Sequence, residues 1–218
     1  MPRICPWVAV RALPAIVATI AVAACSSPSA PSPTPLTIPL VSTAWETIGD
    51  PQPFPLANDG GALTFEFPTE GSMHYLFTAS PLKIVRGTLS MTVRVTTSGP
   101  VVFNSLDQSA CGIAPSVRPL IWANENGNGN NDRWWSNPRA FTLAGGTATI
   151  AVPLSAEAWS NVNGQRGDLD GATKYAFDTA LLNVSRFGLT FGGGCSFGHG
   201  INVRGGSATF ALTGYSIQ

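Results

Sequence analysis

The sequence is poor in charge, in cysteine, in helical periodicity and in long apolar runs. Asp, Glu, Lys and Arg make up 11% of the 218 residues, with twelve of each sign. Scattered, balanced charge of this kind gives no electrostatic footprint for nucleic acid. The sustained apolar run Ala12 to Ala24 covers 13 residues, whereas a helix crossing the hydrocarbon core needs roughly 20. Catalytic signatures are also missing: there is no nucleophile elbow, no His-Glu-x-x-His zinc motif and no phosphate loop closing on Lys-Ser/Thr. Glycosidase chemistry needs two carboxylates facing across a cleft, and the spacing of Glu66, Glu125 and Asp132 pairs none of them. His74 and His199 stand alone in strand-like or loop surroundings, where a surface or hydrogen-bonded role is the simpler reading than a base. The expectation is a protein that is not an enzyme.

What is present begins with an export signal. Arg3 and Arg11 supply a positive start, and the short apolar run ends in Val22-Ala23-Ala24-Cys25. That ending resembles the bacterial lipobox, in which small residues precede the cysteine that takes the lipid. It implies residues 1–24 as a cleaved lipoprotein signal and Cys25 as the acylated residue, palmitate included. The alternative is an ordinary secretory signal with Cys25 left as a spare thiol. Ser26 to Pro39 is almost wholly Ser, Pro, Ala and Thr, a composition that cannot bury enough apolar surface to offset chain entropy. Residues 25–42 therefore read as an extended tether, of which about 15 residues reach roughly 45 Å at about 3.1 Å each. Residues 43–218 are long enough for one domain. The expected location is the cell envelope, on a bacterial membrane.

The signal takes Cys5 with it, and the lipid claims Cys25. Cys111 and Cys195 remain, and in an oxidising compartment they are expected to pair. Closing the 84 residues between them contributes roughly 4–5 kcal/mol in the chain-entropy view. A catalytic Cys195 with His199 nearby is the alternative.

Alternation with period two dominates the domain. In Thr88-Leu89-Ser90-Met91-Thr92-Val93-Arg94-Val95 the apolar residues share one face, the signature of a half-buried strand. Leu63, Phe65 and Phe67 repeat it, as do Phe187, Leu189 and Phe191. Three segments, beginning at Gly60-Gly61, Gly145-Gly146 and Gly205-Gly206, share one design: two glycines, two residues, Thr, then apolar alternation. Each reads as the second arm of a hairpin. Helix is expected in two places only: a capped turn from Ser155, and Thr173 to Leu182, with Tyr175, Leu181 and Leu182 toward the core. Many short strands and few helices predict an all-β antiparallel sandwich.

The C-terminal run carries a resemblance. Asn183-Val184-Ser185-Arg186-Phe187-Gly188-Leu189-Thr190-Phe191-Gly192-Gly193 leads into Gly198-His199-Gly200-Ile201-Asn202-Val203, and Gly205-Gly206-Ser207-Ala208-Thr209-Phe210-Ala211-Leu212-Thr213 follows. About 35 residues are similar to the last strands of jelly-roll sandwiches of the carbohydrate-binding-module type. The matched motifs are architectural and bring no binding residue with them. The resemblance implies glycan binding through aromatic platforms and polar loops, with structural calcium a recurrent companion.

The residues themselves point to a candidate site at Trp122-Ala123-Asn124-Glu125-Asn126-Gly127-Asn128-Gly129-Asn130-Asn131-Asp132-Arg133-Trp134-Trp135. A flat indole packs on the C–H face of a sugar, and amide, carboxylate and guanidinium groups bond its hydroxyls. Trp122 and one of Trp134 and Trp135 are expected to stack, since neighbours on a strand face opposite ways. Asn124, Glu125, Asp132 and Arg133 would hydrogen-bond. The plainer reading is a hairpin with an Asn/Gly tip and three structural tryptophans. The same loop offers Asn126, Asn128, Asn130 and Asp132 as weak calcium donors, with Asp168 and Asp170 a second pair, although ordinary turn chemistry explains both stretches. The expected partners are a membrane, through the lipid, and a glycan, met by a monomeric domain. A structural or protein-interaction lipoprotein is the alternative, and a glycan-active hydrolase the least favoured.

Overall fold

The computed structural model describes residues 34–50, 54–83, 85–105, 113–124, 129–137, 140–193 and 196–218. Its strands are β1 (Leu36–Thr37), β2 (Trp45–Asp50), β3 (Ala57–Asp59), β4 (Ala62–Glu66), β5 (Ser72–Ala79), β6 (Thr88–Ser98), β7 (Val102–Ser105) and β8 (Ser116–Ala123). They continue as β9 (Arg133–Ser136), β10 (Phe141–Thr142), β11 (Gly146–Pro153), β12 (Trp159–Asn161), β13 (Val184–Gly193), β14 (Ser196–Phe197), β15 (Ile201–Arg204) and β16 (Ser207–Ile217). One α-helix, α1 (Gly171–Leu181), precedes β13. It is too short to cross a membrane, as is every helix among the described residues.

The strands form two antiparallel sheets. One runs β11-β6-β16-β4-β3, with β1 added to β16. The other runs β12-β9-β8-β13-β5-β15-β7, with β2 on β5. The pairing is nested: β4 with β16, β5 with β13, β6 with β11, β8 with β9. First meets last and second meets next-to-last, alternating between sheets, which is the connectivity of a jelly roll. The expected all-β sandwich is what the chain forms.

Alternation places the core. Leu89, Met91, Val93 and Val95 of β6 are buried while Arg94 is exposed. Phe65 and Phe67 face Phe210 of β16 and Phe191 of β13, with ring centroids 5.1 to 6.1 Å apart. Most of these pairs meet edge to face, the arrangement the ring quadrupole favours. The Tyr215 hydroxyl crosses from one sheet to the other and donates to the Gly188 carbonyl at 3.0 Å, inside the core.

Three readings of the sequence need correction. The Gly-Gly segments do lead into strands, β4, β11 and β16, but only Gly60-Gly61 closes a hairpin, joining β3 to β4. Chain entering β11 and β16 comes from strands β10 and β15 of the opposite sheet, so the glycines there turn a corner between sheets. The Ser155 segment is a single 3-10 turn at Ala156–Ala158, where the Ser155 hydroxyl bonds the Glu157 carboxylate instead of capping the backbone. Helix α1 forms where expected, yet Tyr175 is 74% and Leu182 49% exposed. Leu181 is buried as expected, and Phe177 and Ala180 complete the inner face in place of Tyr175 and Leu182. Its start is Asp170, whose side chain accepts from Thr173 N at 2.7 Å, an N-cap.

The domain also begins earlier than residue 43. Leu36 and Thr37 pair with Ile217 and Ser216, and Ile38 is buried in the core. An apolar Leu-Thr-Ile step inside a Ser/Pro-rich stretch suffices to dock the chain.

Candidate functional site

The outer face of the second sheet carries its own apolar layer, built from Tyr75, Phe77, Leu120 and Trp122. The register explains the membership. On β8, Val117 and Ile121 point into the core, so Arg118, Leu120 and Trp122 point out. Arg133 of β9 lies opposite Trp122, Trp134 opposite Ile121 and Trp135 opposite Leu120. Trp135 therefore shares the outer face, and Trp134 the inner one.

Arginines cover this layer. The Arg133 guanidinium lies 5.4 Å from the Trp122 ring centre and 6.0 Å from that of Tyr75. Arg186 of β13 lies 4.8 Å from Phe77 and 5.1 Å from Trp122. At the far end Arg118 sits 3.6 Å from the ring centre of Phe197 in β14. Cation–π contacts of this kind are worth about 0.5–1 kcal/mol when exposed and about 2 when desolvated. Trp122 has two guanidinium groups against its ring, so it does not present a bare stacking platform.

Beside this layer a cavity of about 350 Å³ opens, lined by His74, Tyr75, Arg133, Trp135, Val162, Phe197, Gly198 and His199. Strand β5 changes register between Met73 and Tyr75 against β2, and this irregularity brings both His74 and Tyr75 to the cavity. The turn after Phe197 folds back over the sheet, with Gly198 N and Gly200 N both donating to the Phe191 carbonyl at 3.2 Å. Gly198 has φ +82°, and a Cβ there would lie 1.9 Å from the Tyr75 oxygen. Glycine is what lets the turn cross the tyrosine hydroxyl.

The polar groups are held by specific partners. Arg133 Nη1 donates to the Tyr75 hydroxyl at 3.3 Å. Burial raises the Tyr75 pKa, and the charge and hydrogen bond of Arg133 oppose that rise. His74 Nε2 is 2.7 Å from Ser72 Oγ. Burial, then the neighbouring His199, lower the His74 pKa, while Asp50 and a hydrogen bond with the Gly198 backbone act against them. Burial alone brings the Arg118 pKa down to about 10. Arg118 Nε, Arg133 Nε and Thr190 Oγ are buried without hydrogen-bond partners. The Ser72–His74 pair resembles half of a hydrolytic dyad, but Gly200 packs on it, with a Cβ position 2.5 Å from Ser72 Oγ.

Sequence-selected residues separate into groups. Arg133 and Trp135 line the cavity, with Trp122 under Arg133. Trp134 is fully buried, edge-on to Phe177 at 5.1 Å with its N–H on the Asn131 carbonyl, so it is a core residue and not a ligand contact. Asn124 and Asp132 bond each other at 2.8 Å, and the other Asp132 oxygen takes Gly129 N at 2.6 Å. With Tyr175 and Asn183 they border a separate depression of about 210 Å³ beside α1. Glu125, Asn126 and Asn128, together with Cys25, Cys111 and Cys195, lie outside the described residues. Asn130 is exposed, and its carbonyl accepts from Val162 N. Asp168 is taken by Arg166 in a two-pronged ion pair and Asp170 by the helix cap. Among the described residues no three His, Cys, Asp or Glu side chains group as metal ligands.

His74, Tyr75, Val162, Phe197 and His199 were not selected from the sequence, because only the strand pairing brings them to Arg133 and Trp135. A second cleft, about 620 Å³, holds Asp50, Glu66 and Glu70 beside Phe54 and Phe67. It is acidic where the first cavity is basic.

No family model matches this sequence, and no curated protein does. Solved structures do resemble it. One is described as a xylan-binding module CBM15: it is 12% identical, with a TM-score of 0.40, over 82% of this chain and 96% of that one. Another is the family 11 carbohydrate-binding module from Clostridium thermocellum, solved with a β-1,3-1,4-mixed-linked tetrasaccharide. It is also 12% identical, with a TM-score of 0.42, over 80% of this chain and 88% of that one.

Proposed function

We propose that this domain binds carbohydrate without catalysis, at the cavity on the outer face of its second sheet. One observation carries the reading: within about 350 Å³, Trp135 and Phe197 supply an aromatic wall while Arg133, His74, Tyr75 and His199 supply hydrogen-bonding groups. A saccharide has the matching halves, apolar C–H faces and a rim of hydroxyls. The volume is at the small end of the roughly 300–1,000 Å³ typical of ligand pockets, which suits one or two sugar rings. The cavity lining contains no pair of carboxylates that could act as acid and base across a glycosidic bond. Screening on a glycan array followed by titration calorimetry tests the proposal. Binding of a saccharide that is lost in Trp135→Ala, with the fold intact by circular dichroism, is expected. An array on which no saccharide is retained refutes it.

We further propose that the domain works from a membrane surface through lipid on Cys25, a reading supported by the Val22-Ala23-Ala24-Cys25 run and the Ser/Pro-rich stretch behind it. Metabolic labelling with a lipid precursor should mark the parent and not Cys25→Ser. Equal label in both rules the anchor out.

A further inference from the structure

Positive charge gathers on one face of a chain whose formal charges balance, twelve against twelve. Arg133 is the fixed positive charge of the cavity lining, beside His199 and a His74 that burial holds toward its neutral form, and no aspartate or glutamate is among the lining residues. Arg118 packs on the ring of Phe197, itself a cavity residue, and Arg186 continues the positive layer across Trp122. Ion pairs among the described residues are Arg166–Asp168 and Lys174–Asp178, both elsewhere. The acidic groups nearest in the fold are directed away or sit at the margin. Asp132 precedes Arg133 yet has both oxygens engaged by Asn124 and Gly129. Asp50 acts on His74 from the edge strand β2, across from Ser72. Glu46, also on β2, is exposed opposite Phe77 and forms no ion pair with Arg186.

The donor side is unsatisfied as well as uncompensated. Arg133 spends one nitrogen on the Tyr75 hydroxyl and Arg118 one on the Ser136 carbonyl, while the Nε of each is buried with no acceptor. A planar guanidinium fork is matched best by a carboxylate, which accepts two parallel charge-assisted bonds. A sugar hydroxyl offers one neutral acceptor at a time.

We propose that the cavity selects acidic saccharides, sugars bearing a carboxylate such as hexuronates, with Arg133 holding the carboxylate and the touching rings of Trp135 and Phe197 forming the wall beside the sugar. This rests on the glycan-binding reading above and adds the class of sugar.

The test uses oligogalacturonates and glucuronate-containing oligosaccharides beside the same chains after chemical reduction of their carboxylates, titrated by calorimetry at low and high salt. At least tenfold tighter binding of one carboxylated form over its reduced counterpart is expected, narrowing as salt screens the charge. Arg133→Gln should abolish that preference, and Arg133→Lys, which keeps charge but not the fork, should restore only part of it. Thermal melting of both variants confirms that they remain folded. Equal binding of carboxylated and reduced chains, or preference for neutral ones, overturns the charge selection and leaves the glycan reading standing. Equal binding of dextran sulfate at the same site overturns it too, since that marks a general polyanion surface. Failure of every saccharide, neutral or acidic, removes the glycan reading itself.

Discussion

Gly198 offers the most direct test of the cavity's construction. The residue has φ +82°, and a Cβ would lie 1.9 Å from the Tyr75 oxygen and 2.4 Å from Cζ. Gly198→Ala therefore adds two costs. Left-handed backbone costs an L-residue roughly 1–2 kcal/mol. Relief of the overlap requires the turn to lift, loosening the two bonds to Phe191 O, each worth about 0.5–1.5 kcal/mol net. Together the loss is about 2–5 kcal/mol, a fall in Tm of roughly 4–20 °C for a domain of this size. Gly60→Ala is the control, because Gly60 has φ +56° with nothing within 4 Å of its Cβ position. It isolates the backbone cost from the collision. Differential scanning calorimetry on both variants should show Gly198→Ala the more damaging by at least about 1 kcal/mol. Equal losses would mean that the turn does not rest on Tyr75, and the cavity wall formed by Phe197 and His199 would have to be redrawn.

Other expectations follow from single contacts. Tyr215→Phe removes the donor to the buried Gly188 carbonyl and should cost about 1–3 kcal/mol in urea unfolding; an unchanged midpoint would mean the bond is not formed. Asp170 has its carboxyl held below the ordinary value by the Thr173 backbone and hydroxyl. The stability it adds is therefore fully present above the ordinary carboxylate range and is lost as pH falls through the lowered value. The gap in stability between the parent and Asp170→Ala should close in acid; a gap that widened there would contradict the cap. A non-reducing peptide map should recover Cys111 and Cys195 as one linked peptide, whereas alkylation of both without reductant would show two thiols.

The sheet faces were legible from alternation alone. Leu89, Met91, Val93 and Val95 could face only one way, and a one-residue slip would bury Arg94 in the aromatic centre. The adjacency of Trp134 and Trp135 likewise forced one in and one out. Partners across the outer face were not legible. His74 and Tyr75 precede Arg133 by nearly sixty residues, and Phe197 and His199 follow it by more than sixty. Long-range pairing of β5, β8, β9 and β13 joins them, and no local pattern encodes that. Asn124 and Asp132 lie apart from this cavity, spent on each other and on Gly129. Residues rich in hydrogen-bonding groups look like ligand contacts in sequence, but turns consume such groups first. Helix α1 shows the same limit: its apolar count placed Tyr175 inward, while packing against Trp134 and Trp159 selected Phe177.

The short first strand has a mechanical consequence. Between Leu36 and Ala44 the chain is clasped by two residue pairs of β1, by Ile38 N on the Tyr215 carbonyl, and by the Trp45 indole on the Pro39 carbonyl. The Asn58 side chain adds a bond to Leu40 and another to Ser42. Tension entering from the N-terminal side meets these contacts one after another, never as a block. Ile38 is the first residue seated in the core, and Trp45, buried edge-on to Tyr215 at 5.6 Å, is the next. Peeling as far as Trp45 frees nine residues, about 30 Å of extended chain, and strips β1 while every other strand stays paired. Single-molecule pulling should show that extension as a separate low-force step before the domain yields. A domain held from this end would play out line under load before giving up its grip.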